Sequence, residues 1–164
     1  MYNVGDKIVH PMHGAGTIKQ VEKREILGEV REYYILEVSC EDMGVMIPVD
    51  NCEAIGVRPV SSREEIEGAM EVLGEPTGHM HENWNKRYRE NMEKFKTGDL
   101  VTVARLVRDL TRADSCKRLS SGEKKMLTSA MRVLKSEVMV SMDTDSGKAG
   151  KMIEDAIAQR RCSS

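Results

Sequence analysis

Trp84 is the only tryptophan in this chain, and Lys86, Arg87 and Arg89 follow it within five positions, with Tyr88 interleaved. A large flat apolar ring beside clustered cations is the chemistry of a duplex-DNA minor-groove wedge. The cations neutralise phosphates while the ring presses on a base step. The same residues admit a second account. Trp84 can anchor the start of a helix to the core, as buried tryptophans do, with the cations on a solvated face. Arg105, Arg108, Arg112, Lys117, Arg118, Lys124, Lys125 and Arg132 extend the basic pattern along the chain. Residues 84–135 hold 14 Lys and Arg against 6 Asp and Glu, whereas residues 1–60 hold 6 against 10. The overall formal charge of −2 therefore conceals a local basic region suited to a polyanion. Lys124 and Lys125 fall in the first turn of a predicted helix, where cations oppose the helix dipole. That local misfit favours a ligand-facing role for them.

Enzymatic chemistry has no comparable support. The chain contains no Gly-x-Ser-x-Gly, no Walker loop and no dinucleotide glycine fingerprint. Gly14-Ala15-Gly16 is too short to cradle a phosphate. His10 and His13 flank Pro11 and are expected to set a turn. His79 and His81 can chelate a metal only weakly, with no evident third and fourth ligands. Cys40, Cys52, Cys116 and Cys162 are widely scattered without a Cys-x-x-Cys pair, which predicts reduced, mostly buried thiols. The acidic residues read as solvated helix faces. No enzyme, metal site, cofactor or small-molecule substrate is expected.

The elements that must hold these residues change character near residue 60. Before it, short β-rich runs alternate with turns: Lys7–His10, Thr17–Arg24, Arg31–Val38, Gly44–Pro48 and Val57–Val60, with a hairpin turn at Leu27-Gly28-Glu29. Five short strands in so short a stretch predict a small bent sheet or barrel with a thin core. After residue 60 the apolar period becomes helical. Ser61-Ser62 with Glu64-Glu65 form a capping-box pattern ahead of Ile66, Met70 and Leu73, and Gly74 and Pro76 end that helix. A second helix is predicted over Trp84–Lys96 with Gly98 beyond its end. Asp99 caps a third, striped by Val103, Leu106, Val107 and Leu110. Ser120 and Glu123 open a fourth, with Leu127, Ala130, Met131, Leu134 and Val138 on one face. Asp143–Gly147 breaks the chain before a last helix carrying Ala149, Met152, Ile153, Ala156 and Ile157. Met70, Met126, Met131 and Met152 fit core filling. The predicted class is α+β: a β-domain over residues 1–60, then a compact bundle of about five helices over residues 61–164.

Apolar residues make up 40% and charged residues 32%, the balance of a globular chain. No apolar run approaches the ~20 residues needed to cross a bilayer. The N-terminus has no basic apolar signal segment, so the cytoplasm is the expected compartment and no membrane partner is expected.

Several runs together resemble the CarD family of bacterial transcription regulators over nearly the whole length. They are Val4-Gly-Asp-Lys-Ile-Val-His-Pro-Met-His-Gly14, Ile47-Pro-Val-Asp-Asn51, Gly56-Val-Arg58, Asn83-Trp-Asn-Lys-Arg-Tyr88, Lys96-Thr-Gly-Asp99, Val107-Arg-Asp-Leu110 and Leu119-Ser-Ser-Gly-Glu-Lys124. Their joint order and spacing carry the match. The resemblance implies a Tudor-like N-terminal domain that binds the RNA polymerase β subunit, as the related domain of transcription-repair coupling factors does. It implies a helical domain that meets promoter DNA at the upstream edge of the melted bubble, with Trp84 wedged in the minor groove. Such a protein is nucleoid-associated through polymerase. Arg24 matches a polymerase-contacting position. A second such position, an arginine in some members, is Met46 here, next to Ile47-Pro48. The expected polymerase contacts are therefore Arg24, Met46 and Pro48. The expected DNA contacts are Trp84, Lys86, Arg87, Arg89, Lys124 and Lys125. The competing reading is a protein–protein adaptor on RNA polymerase with no direct DNA role.

Overall fold

The computed structural model describes residues 2–39 and 44–158 of the chain; Cys40 and Cys162 lie outside them. The first part is a five-stranded antiparallel sheet in the order β4-β3-β2-β1-β5. Its strands are β1 (Lys7–His10), β2 (Gly14–Ile26), β3 (Glu29–Val38), β4 (Gly44–Pro48) and β5 (Arg58–Pro59). A short 3-10 turn, Val49–Asn51, and a one-turn helix α1, Cys52–Ile55, connect β4 to β5.

The central hairpin is longer than its apolar pattern predicts. Leu27 and Gly28 both have positive φ, 55° and 81°, the geometry of a tight two-residue hairpin turn that follows the strand twist. Pairing continues from that turn through Ile26↔Glu29 and Arg24↔Arg31 down to Gly16↔Val38. A register shift between Ile18 and Gln20 marks a bulge. Beyond the bulge the hairpin leaves the core: Val21, Ile26, Leu27 and Val30 are exposed, Leu27 at 99%. The core face is set by Ile8, Ile18, Tyr34, Leu36, Val38, Ile47, Cys52 and Val57.

The second part comprises α2 (Arg63–Gly74), α3 (Trp84–Lys96), α4 (Leu100–Ser115), α5 (Ser121–Met142) and α6 (Ser146–Ala158). Each predicted start is a side-chain cap. Ser62 and Glu65 form a capping box on α2, as do Ser120 and Glu123 on α5. Asp99 accepts from Thr102 N at 3.0 Å on α4. Gly98, with φ 68°, follows α3 in the left-handed region that ends helices. The last break is shorter than predicted, because Asp145 accepts from Lys148 N at 2.8 Å and starts α6 at Ser146. The apolar stripes meet in one cluster containing Ile66, Leu73, Phe95, Leu106, Leu110, Leu134 and Ile153. Met126 is buried in it, and Met70, Met131 and Met152 pack against it.

Three expectations are corrected. Acidic residues are not all solvated: Glu123 and Glu137 are buried at 0% and 1% exposure, and Asp109 is also buried. Each faces an arginine, which is the condition under which a charge survives burial. The thiols do not share one environment, since Cys52 is buried and Cys116 exposed. The basic residues of the extended pattern, finally, do not all face a polyanion outside. Arg108 is buried, donating to Asp109 Oδ1 at 2.8 Å and to the Val72 carbonyl at 3.1 Å. Arg112 donates to the carbonyls of Leu73, Glu75 and Ile157, tying the ends of α2 and α6 to α4.

No helix among the described residues is long and apolar enough to cross a membrane. Among them, too, no group of three or more His, Cys, Asp and Glu gathers as a metal set. His81 Nδ1 instead accepts from Asn83 N at 3.0 Å. His10 does set a turn, accepting from Met12 N at Nδ1 (3.2 Å) and from His13 N at its carbonyl (3.2 Å).

Candidate nucleic-acid interface

Asn83 caps α3 by accepting from Lys86 N at 3.1 Å, which makes Trp84 the first residue of the helix. A side chain at that position has no preceding turn to cover it. Trp84 is 47% exposed. Its ring stacks on Tyr88, one turn along, with centroids 6.1 Å apart and planes at 29°. Tyr88 in turn packs against the helical core and lies over Gly122 at the start of α5. A Cβ at Gly122 would stand 3.3 Å from the Tyr88 ring, so a side chain there would push the tyrosine outward. The tryptophan is thus propped on the surface by a tyrosine and is not sunk into the core.

An ion pair fixes the same junction. Arg87 donates from Nε to Glu123 Oε2 at 2.8 Å and from Nη2 to Glu123 Oε1 at 2.6 Å. Glu123 also accepts from Ser120 N and Oγ as part of its capping box. Burial pushes the Glu123 carboxyl up, but the bonds from Arg87 and Ser120 outweigh it and hold its pKa below the ordinary value. One carboxylate therefore both starts α5 and locks α3 to it.

The expected DNA contacts divide accordingly. Trp84, Lys86, Arg89, Lys124 and Lys125 are exposed around the adjoining starts of α3 and α5. Arg87 sits among them with its fork directed inward at Glu123. The sequence drew attention to Arg87 as a cation and overlooked Glu123 and Gly122 as its supports. The capping-box spacing was the available signal for Glu123; burial of its far oxygen was not readable.

The other expected site lies on the outer face of the sheet. Strand pairing sets Arg24 opposite Arg31, Tyr33 opposite Pro48, and Ile35 opposite Met46. Alternation along β3 sends Tyr34, Leu36 and Val38 into the core and its odd-numbered residues outward. Arg24, Met46 and Pro48 therefore share one face. Arg24 and Met46 are exposed and Pro48 half-buried. Arg24 is braced by Glu22, two residues along the same face, at 2.9 Å. Pro48, Val30 and Arg31 line an open cleft beside them.

A small antiparallel β-sheet joined to a helical bundle that displays a propped tryptophan among cations makes a two-part scaffold. Comparison with known proteins gives it a family. The CarD-like/TRCF RID domain model matches residues 2–61 and the CarD C-terminal domain model matches residues 68–154. The chain is 39% identical over 140 residues to the Bacillus subtilis (strain 168) protein described as "Putative transcription factor YdeB", covering 85% of this chain and 92% of that one. The chain belongs to the CarD family of transcription factors.

Proposed function

We propose that this protein regulates transcription initiation, without catalysis, by binding the RNA polymerase β subunit through its sheet and stabilising the melted promoter through Trp84. The observation that carries the reading is the mounting of Trp84: half-exposed at a helix start, supported from beneath by Tyr88, with exposed Lys86 and Arg89 following it in α3. A ring so placed can enter a distorted minor groove without the protein unfolding. Lys86, Arg89, Lys124 and Lys125 hold the flanking phosphates, and Arg87 holds the platform together.

The family membership supports the polymerase half of the reading, because the RID domain model covers the whole sheet. Arg24, Met46 and Pro48 form the contact face. An exposed, apolar Met46 on the same face as Arg24 and Pro48 suits a contact that is partly apolar, where an arginine would make it more polar. Once tethered, the helical part meets DNA at high effective concentration, so weak and sequence-tolerant DNA affinity suffices. Its effect on the open complex is limited to its preference for that state over the closed one.

The test is a competitor-challenged lifetime measurement on open promoter complexes formed with and without the protein. The reading expects a longer lifetime with the full chain. An unchanged lifetime, with polymerase binding demonstrated, would remove open-complex stabilisation from the account.

A further inference from the structure

α3 carries Trp84 at one end and meets the β-sheet at the other. One guanidinium supplies hydrogen bonds across that meeting point. Arg58 of β5 donates to the Gly98 carbonyl, just past the end of α3, from Nε at 3.0 Å and Nη2 at 2.8 Å. The same group grips Glu137 of α5, with Nη1 to Oε2 and Nη2 to Oε1 both at 2.7 Å. Glu137 is 1% exposed, and its Oε2 also accepts from Ser61 N at 2.9 Å. Burial works against the Arg58 charge, yet the bonds to Glu137 outweigh it and hold its pKa above the ordinary value.

Close packing surrounds this joint. A Cβ on Gly98 would stand 3.0 Å from two carbons of Pro11, in the turn between β1 and β2. Next to it, Ala15 N donates to Ser136 Oγ at 2.7 Å. A Cβ on Gly14 would stand 2.5 Å from that same Ser136 oxygen. Ser141 Oγ donates to the Ser61 carbonyl at 2.7 Å across the same seam. The β1–β2 turn, β5, the end of α3 and the middle of α5 are therefore closely packed on one another around Arg58, with Gly14 and Gly98 at tight approaches. A bidentate arginine–carboxylate pair is directional, and a buried carboxylate that loses its partner is strongly unfavourable. The joint accordingly has one low-energy geometry.

We propose that Arg58 is a positioning residue: it clamps the C-terminal end of α3 to the sheet and thereby sets where Trp84 stands relative to the polymerase-facing strands. α3 is a strut of 13 residues, which at ~1.5 Å per residue places its first turn about 20 Å from the clamp. This inference rests on the proposed function for its consequence. Two weak contacts linked by a stiff joint reinforce each other only if the joint matches their spacing on the polymerase–promoter complex. Arg58 touches neither proposed contact face, so its role is separable from both.

The test pairs a distance measurement with a functional one on the full chain. Spin labels are placed at Leu27→Cys on the hairpin tip and Asn85→Cys beside Trp84, with the native cysteines replaced by alanine. With Arg58 present, a single narrow distance distribution is expected. Arg58→Ala should broaden it, leave polymerase binding within about twofold, and shorten open-complex lifetime at least threefold. Arg58→Lys, which keeps the charge and loses the fork, should give intermediate broadening. If Arg58→Ala does not fold, Arg58→Met with Glu137→Met removes the fork without leaving a buried charge, and is read in the same way. An unbroadened distribution, or a broadened one with unchanged lifetime, overturns the clamp. If the chain with Arg58 intact has no effect on open complexes, the proposed function fails, while the distance distribution alone still decides whether Arg58 fixes the joint.

Discussion

Arg87 closes both arms of its guanidinium on the fully buried Glu123, at 2.8 and 2.6 Å, across the junction of α3 and α5. Three residues before it stands Trp84, 47% exposed. The most basic stretch of the chain thus contains one arginine that builds the platform and several cations that decorate it. Replacing Arg87 by Ala leaves a buried carboxylate without its partner, a change that typically costs ~3–5 kcal/mol. Lys86→Ala, on the exposed side of the same turn, should stay within ~0.5 kcal/mol. Urea unfolding of both variants checks the contrast. Equal stabilities would remove the structural role of Arg87.

Lys86 and Arg89 are the exposed cations of α3 nearest Trp84. Each phosphate neutralised contributes about 0.9 to the logarithmic salt slope on B-form DNA. Lys86→Gln with Arg89→Gln should therefore flatten the slope by about 2 and weaken binding equally across unrelated sequences. Fluorescence anisotropy between 50 and 200 mM salt, a range chosen because phosphate-dominated binding changes steeply across it, gives the slope. An unaltered slope would place the DNA surface elsewhere.

Arg24 lies on the outer sheet face with Met46 and Pro48, braced by the exposed pair with Glu22. Such surface pairs contribute little to stability. Arg24→Glu should weaken capture of core polymerase at least severalfold while leaving the thermal transition in place. Undiminished capture would make Arg24 a bystander on that face.

His10 belongs to the packed β1–β2 turn, and burial, with His13 close by, lowers its pKa from 6.5 to about 4. Its Nδ1 accepts from Met12 N, so the turn needs the neutral ring. Between those two values the unfolded chain binds a proton that the folded chain does not. Stability contributed by His10 is then present above pH 6.5 and is lost as pH falls toward 4. Glu123 and Asp99, whose carboxyls sit below their ordinary values, lose theirs only at lower pH. Denaturant titrations at pH 7.5, 6 and 5, values chosen to bracket the ordinary histidine range, should show a decline that His10→Gln reduces. A flat profile over that window would contradict the role of the neutral ring.

Much of the helical part was legible locally. Ser62, Asp99, Ser120 and Gly98 announce helix ends through bonds to residues three or four positions away. The outer hairpin was underestimated because Lys23–Glu25 and Glu29–Glu32 carry charge on both faces, and a strand solvated on both sides has no apolar alternation to read. The buried charges were illegible for a different reason. Glu137 and Glu123 resemble any solvated helix glutamate until Arg58 and Arg87 arrive from 79 and 36 residues away. The candidate site was thus visible in its ring and its cations, but not in the pairs that hold them in place.

The most direct test concerns Trp84 itself. Its ring is half-exposed and stacked on Tyr88, so Trp84→Ala removes an aromatic-pair contribution of ~0.5–1.5 kcal/mol together with the burial of about half the ring, and should leave the chain folded. A core anchor would instead cost ~3–5 kcal/mol. The measurement is open-complex lifetime with Trp84→Ala, alongside its thermal transition and its capture of core polymerase. The account predicts a folded variant that binds polymerase normally and no longer prolongs the open complex. A folded, polymerase-bound variant that prolongs it as well as the parent chain would contradict the account, as would a loss of lifetime explained entirely by unfolding.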